Sequence, residues 1–184
     1  GIKVFNRENL EVWELVKKGA VSRWNVKDGV MVNNPIQYPG KDRIHYGNLR
    51  TIRDDFADFK LTLNVNVPPD GNSGIYLRGM YEIQVTDSYG KPLDSHHMGA
   101  LYSRITPSTN AEKPAGEWQS MEISLVDRHV NVVLNGTTII DNKPVLGCTG
   151  GALTPYDDGT GCIYLQGDHT GVMYKNITIY PVEK

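Results

Sequence analysis

Two short stretches of the sequence hold most of the side chains suited to chemistry: Gly71-Asn-Ser-Gly-Ile-Tyr-Leu-Arg-Gly-Met-Tyr-Glu-Ile-Gln-Val-Thr-Asp87 and Gly161-Cys-Ile-Tyr-Leu-Gln-Gly-Asp-His-Thr-Gly171. In the first, Ile75 and Leu77 alternate with Tyr76 and Arg78, and Tyr81, Ile83 and Val85 alternate with Glu82, Gln84 and Thr86. Successive side chains of an extended strand point to opposite faces. The alternation therefore gathers Tyr76, Arg78, Glu82 and Gln84 on one surface. A carboxylate and a guanidinium are costly in an apolar core, so this surface is expected to face solvent or a cleft. An ordinary solvated sheet face with an Arg–Glu pair is the plain reading. Such a face would favour Thr, Lys and Ser, however, whereas an aromatic ring beside Arg, Glu and Gln suits sugar hydroxyls.

In the second stretch Ile163 and Leu165 point inward, which leaves Tyr164 and Gln166 on the polar face. Asp168 and His169 follow in a turn at the strand end, where side chains can reach over a cleft. His169 suits the part of a base or of a metal ligand; the plain alternative is a surface turn in which Asp168 only caps the backbone. Asp168, His169 and Glu82 together offer hard and borderline donors for a divalent metal ion, without the dense spacing that identifies a metal site. The adjacent His96 and His97 cannot easily share one metal, and His45 and His129 read as structural or solvated. Tyr38, Tyr46, Tyr89, Tyr102 and Tyr156 lie in or beside long loops, where an apolar ring with a hydroxyl suits stacking on sugars. Trp24 and Trp118 begin strand patterns and are expected in the core.

The elements that must position these residues are strands. Phe59, Leu61, Leu63, Val65 and Val67 alternate with polar residues over 58–67, and Met121, Ile123 and Leu125 do so over 118–127. Val130, Val132 and Leu134 follow. Asn135-Gly136 then marks a type I′ hairpin into 137–140, because both residues accept positive φ. Further strands are expected at 22–26, 30–33, 74–78, 81–86, 161–166 and 172–180. Only 9–18 carries a short helical pattern. Nineteen glycines and ten prolines punctuate the chain at strand-length intervals, as in a sandwich or barrel. The long loops 34–46, 88–97, 105–116 and 142–160 are expected to form functional rims.

The bulk properties narrow the partners. A chain of 184 residues without internal repeat or linker reads as one domain, 1–184. The net charge of −2 with scattered basic residues excludes a nucleic-acid surface. No apolar run approaches the roughly 18–20 residues that cross a bilayer, so membrane insertion is not expected. Cys148 and Cys162 read as two buried thiols; if paired, they would restrict the unfolded chain by about 3 kcal/mol. The chain begins at Gly1 rather than Met and is read as a mature form whose export signal is gone.

An ordered set of motifs resembles the 3-keto-disaccharide hydrolase domain family of the concanavalin A-like lectin/glucanase superfamily. The matching residues are Trp24-Asn-Val-Lys-Asp-Gly29, Asn72-Ser-Gly-Ile-Tyr-Leu-Arg78, Tyr81-Glu-Ile-Gln-Val-Thr-Asp87, Gly99-Ala-Leu-Tyr102, Gly116-Glu-Trp118, Leu134-Asn-Gly136, Gly161 to His169 and Tyr174-Lys-Asn-Ile177. Each is weak alone; their order spans almost the whole chain. The resemblance implies an all-β jelly-roll sandwich of two curved antiparallel sheets, a glycoside or oligosaccharide substrate, and a periplasmic or secreted location. It also implies chemistry on sugars oxidised at carbon 3, where the ketone acidifies the C2 hydrogen. A base then removes that hydrogen, the C1 substituent leaves by β-elimination, and water adds back. His169 or Glu82 would be the base. Arg78, or a metal held by carboxylate and histidine, would stabilise the enolate, and Tyr76, Gln84, Asp87, Tyr102, Tyr164, Gln166 and Asp168 would bind the sugar.

Two other readings compete. Retaining glucanases of the same fold carry Glu-x-Asp-x-x-Glu on a strand, and here the analogous positions are Glu82, Gln84 and Asp87. Retention needs two carboxyls about 5–5.5 Å apart, but Glu82 and Asp87 differ in parity and would face opposite sides of a regular strand. The third reading is a non-catalytic carbohydrate-binding domain, which the same polar and aromatic residues would serve.

Overall fold

The computed structural model describes residues 1–34, 47–156 and 159–184; Tyr38, His45 and Tyr46 lie outside them. All its regular structure is strand: β1 (Ile2–Lys3), β2 (Trp13–Leu15), β3 (Trp24–Lys27), β4 (Val30–Asn33), β5 (Leu49–Thr51), β6 (Phe59–Asn66), β7 (Asn72–Leu77), β8 (Tyr81–Thr86), β9 (Trp118–Val126), β10 (His129–Leu134), β11 (Thr137–Pro144), β12 (Tyr164–Leu165) and β13 (Val172–Pro181). An eight-stranded antiparallel sheet runs β11-β10-β9-β6-β13-β4-β3, with β1 added beside β13; a five-stranded sheet runs β2-β5-β12-β7-β8. The two sheets form the expected jelly-roll sandwich. No helix among the described residues is long and apolar enough to cross a membrane.

The period-two pattern decides what lies between the sheets. Phe59, Leu61, Leu63 and Val65 of β6 and Met121, Ile123 and Leu125 of β9 are buried in one core with Ile75, Leu77, Ile83 and Val85 of the smaller sheet. Asn135 and Gly136 take φ of 51° and 81° in the β10–β11 turn, as the Asn-Gly pair requires. The helical pattern at 9–18 is not realised: the chain there forms β2, which pairs with β5. Its three residues alternate in burial, and partnership with a sheet outweighs a short helical propensity.

The two tryptophans diverge. Trp24 is buried, and its indole N–H donates to the Gly47 carbonyl at 2.9 Å. Trp118, expected in the core, is only partly buried, and Lys175 Nζ lies 4.0 Å from its ring centre. It occupies the parity opposite to Gln119, Met121 and Ile123, so the pattern of β9 turns it outward. Cys148 and Cys162 are both thiols. Cys162 is buried, and Cys148 Sγ donates to the Thr154 carbonyl at 3.4 Å.

Candidate active site

The outer face of the smaller sheet is built by three neighbouring strands in two rows. Tyr164 of β12 lies opposite Tyr76 of β7, which lies opposite Glu82 of β8. In the next row Gly74 lies opposite Gln84, while the Gln166 N–H donates to the Gly74 carbonyl at 2.9 Å. A side chain at 74 would fill the middle of this surface, and its absence leaves room for the Glu82 carboxyl. The result is a polar cleft of about 240 Å³ whose floor includes Tyr76, Glu82, Gln84 and Gln166. Asn72, Tyr102, Gly150, Gly151 and His169 complete its walls. This volume is small beside the roughly 300–1,000 Å³ of pockets for drug-sized ligands, and it suits a single sugar ring.

Glu82 is the electrostatic centre. It is 3% exposed, and its Oε2 is buried without a hydrogen-bond partner. Burial pushes its pKa up to about 7; the Tyr76 hydroxyl and His169 pull it down, and Asp168 adds to the rise. The Tyr76 hydroxyl has a single proton, for which the Gly150 carbonyl, 2.8 Å away, competes with the Glu82 carboxyl. Its ring stacks on Tyr164, with centroids 4.1 Å apart and planes within 10°. Burial, with Glu82 beside Tyr76 and Asp168 beside Tyr164, drives both phenols far above their usual range, so neither ionises near neutral pH.

An oriented imidazole lines the same cleft as Glu82. His169 Nδ1 lies 2.6 Å from Asp168 Oδ1, and the two side chains are 28% and 21% exposed. An ionised Asp168 can only accept, so Nδ1 carries the proton and Nε2 the lone pair of the neutral ring. Asn48 receives the Gly167 N–H at 2.8 Å and points its amide at Asp168 Oδ2 at 3.5 Å. Asp168 thus holds His169 and does more than cap a turn.

Tyr102 stands beyond β8, where its N–H donates to the Glu82 carbonyl at 2.9 Å. The His96 ring meets Tyr102 edge-on at 5.1 Å, and the His96 carbonyl accepts from the Gln84 amide at 3.0 Å. Tyr89 and Tyr156 are exposed instead.

Two expected site residues lie elsewhere. Arg78 does not continue β7. It sits in the β7–β8 turn at φ 54°, which breaks the alternation and swings its side chain to the sandwich end. There it is 8% exposed, donates to Asp58 at 2.9 Å and to the Ala57 carbonyl at 2.8 Å. It lines a larger cavity of about 440 Å³ with Asp58, Asp127 and Lys184. The charges of that cavity answer one another, with Lys184 2.7 Å from Asp127. The smaller cleft, with its unanswered carboxyl oxygen, is the better seat for chemistry. Asp87 is also displaced: it follows the end of β8, and its carboxylate accepts from the Asp70 N–H at 3.0 Å. The β7–β8 register has no bulge to bring it round to Glu82. Tyr164 and Asp168 stand behind the cleft wall, under Tyr76 and beside His169.

Glu82, Asp168 and His169 do not form a metal-binding set. Among the described residues no three His, Cys, Asp or Glu side chains do so, and Asp168 and His169 are bonded to one another. Asn72, Gly150, Gly151 and Asn48 were not anticipated. Asn72 opens the Asn-Ser-Gly-Ile-Tyr motif and Gly150-Gly151 is a visible pair, so a signal existed for both; Asn48 carried none.

Known proteins bear the fold out. A glycosyl hydrolase candidate from Parabacteroides distasonis superposes with a TM-score of 0.78 at 30% identity, covering 98% of this chain and 83% of its own. A second from the same organism gives 0.75 at 21% identity, over 98% and 93%. More distantly, a β-porphyranase from Bacteroides plebeius shares the fold at a TM-score of 0.53 and 13% identity, over 95% and 88% of the two chains. No curated protein matches the chain. The model of the 3-keto-alpha-glucoside-1,2-lyase-like domain matches residues 1–180, and the chain belongs to that family.

Proposed function

We propose that this domain cleaves glycosides carrying a ketone at carbon 3, by C2 proton abstraction, β-elimination and hydration. The observation that carries this reading is the placing, on one small polar cleft, of a buried carboxyl poised near neutrality and an imidazole oriented by its own carboxylate. His169 is the base. Its neutral ring takes the C2 proton, which the adjacent ketone has acidified, and Asp168 steadies the imidazolium that forms. The negative charge moves to the oxygen on C3. Amide and phenol donors of the cleft, among them Asn72, Gln166 and Tyr102, serve that oxygen; one well-placed donor is worth about 3–4 kcal/mol.

Glu82 is the acid. With its pKa pushed up to about 7, it can still hold a proton near neutral pH, where an ordinary carboxyl has lost it. That proton goes to the glycosidic oxygen as the C1–O bond breaks, leaving an enone. The Glu82 carboxylate then takes a proton from water, the hydroxide adds at C1, and the imidazolium returns a proton to C2. One water is consumed, one glycosidic bond is cleaved, and both side chains are restored.

The test is release of the C1 substituent from a 3-keto-glucoside and from its unoxidised parent, each with and without chelator, with deuterium uptake at C2 followed in heavy water. Release from the keto compound alone, with C2 exchange, is expected. Equal release from the parent would indicate ordinary glycoside hydrolysis. Binding without release from either would indicate a sugar-binding module.

A further inference from the structure

The turn that carries Asp168 and His169 is gripped from both sheets. From the larger sheet, Asn33 is 1% exposed, and its amide donates to the Gly167 carbonyl at 2.9 Å and faces the Thr170 carbonyl at 3.5 Å. Its own Oδ1 is buried without a partner. An orphaned buried acceptor is costly, so an amide retained there must do something at its other end. From the segment that leads into β5 of the smaller sheet, Asn48 receives the Gly167 N–H at 2.8 Å and directs its Nδ2 toward Asp168 Oδ2 at 3.5 Å. The latter distance is at the long end for a hydrogen bond, so Asn48 holds the turn through Gly167 and steers Asp168 by its dipole.

The backbone around Asn48 is itself fixed. Its carbonyl accepts from Val16 at 2.8 Å, and the next residue, Leu49, pairs with Leu165. Gly167 packs against Gly47 and Trp24 so closely that a Cβ there would come within 2.5 Å of the Gly47 carbonyl oxygen. The turn can therefore shift little as a body. What stays adjustable is the direction of the Asp168 carboxylate, and Asn48 is the polar side chain aimed at its second oxygen.

Building on the reaction proposed above, we propose that Asn48 is a positioning residue: by holding Gly167 and facing Asp168 Oδ2, it turns Oδ1 onto His169 Nδ1 and so fixes which ring nitrogen bears the lone pair. It touches no substrate and acts only through the pair it orients. Asn33 is the opposing anchor.

The experiment uses the full chain with ring-labelled histidine. Nitrogen chemical shifts of His169 are read in the parent, in Asn48→Ala and in Asn48→Asp, alongside kcat and KM on a 3-keto-glucoside. Asn48→Asp keeps an acceptor for Gly167 while removing the donor from Asp168, so it separates folding of the turn from steering of the carboxylate. Expected are a single Nδ1–H form of His169 in the parent, a loss of that uniform signature in both variants, and a 10- to 100-fold fall in kcat with KM within threefold. Parent-like His169 shifts in both variants would overturn the proposal, as would a loss lying wholly in KM or matched by a fall in folded protein. The shifts need no turnover. If keto-glycosides are not substrates, they still decide the role of Asn48, while the failed assay counts against the reaction alone.

Discussion

Glu82 lays its carboxyl across Gly74: a Cβ on residue 74 would stand 2.5 Å from Glu82 Oε2 and 2.8 Å from its carboxyl carbon. The glycine is thus part of the acid's seat, since only a bare backbone lets the carboxyl lie over β7. In Gly74→Ala the atom displaced is the end of a flexible side chain, so the strand should persist while Glu82 moves. We expect kcat/KM to fall by about 100-fold, as for an acid misplaced by an ångström, with the melting temperature nearly unchanged. Full activity would show that Glu82 need not occupy its observed place.

Glu82 also links stability to pH. Its folded pKa of about 7 stands above the ordinary 4.5, so the folded chain holds this proton more tightly than the unfolded chain. The linked stabilisation is complete below about 4.5 and is lost as pH rises through about 7. A difference of this size corresponds to roughly 3 kcal/mol. Glu82→Gln carries no charge at any pH. It should match the parent at pH near 4 and exceed it in stability above pH 8, while losing about 100- to 10,000-fold in turnover. Denaturant titrations at both pH values measure this; an equal gap at both would mean the carboxyl is solvated.

The same proton shapes the rate. An acid must be protonated to donate, so kcat/KM on the keto substrate should fall as pH rises through about 7. A steady-state profile from acid to alkaline pH checks it. Rates that climb through this range would instead mean that loss of a proton governs the reaction, and Glu82 would lose its assignment as the acid.

Arg78 tests the opposite assignment. Its guanidinium is held by Asp58 and Ala57 at the end of the sandwich, outside the cleft. Removing one partner of a buried pair costs about 3–5 kcal/mol, so Arg78→Ala should melt well below the parent. Turnover per folded molecule should stay within threefold. A stable but inactive variant would return Arg78 to the chemistry.

That residue marks where the sequence stops being legible. Strand parity was enough to bring Tyr76, Glu82, Gln84, Tyr164 and Gln166 to one face, because pleating leaves an extended chain no choice. It failed at Arg78 because the strand ends at Leu77 and the next residue takes a left-handed turn, which alternation cannot foresee. Asp87 fell just past the end of β8, and the difference in parity from Glu82 already warned against pairing them. Gly150 and Gly151 come to the cleft, and Asn48 to the turn beside it, from segments far away in sequence. Only the packing of the chain gathers them: the Gly150-Gly151 pair is visible as a pair, but nothing local says where it docks, and Asn48 carries no signal at all.

Asp168 and His169 offer the sharpest trial, because they are expected to act as one unit. Asp168→Asn preserves size but removes the charge that assigns the Nδ1 proton and steadies the imidazolium, so kcat should fall by about 10,000-fold, as for other imidazoles deprived of their carboxylate. KM should change little, since neither effect concerns sugar binding. His169→Ala removes the base itself and should cost at least as much. If Asp168 acts only through His169, the double variant should be no worse than His169→Ala alone, because residues that share one function are not additive. Rate measurements on all four proteins settle the point. A double variant in which the two losses multiply would give Asp168 a task of its own, either as a second carboxylate in the chemistry or as a ligand to a metal ion.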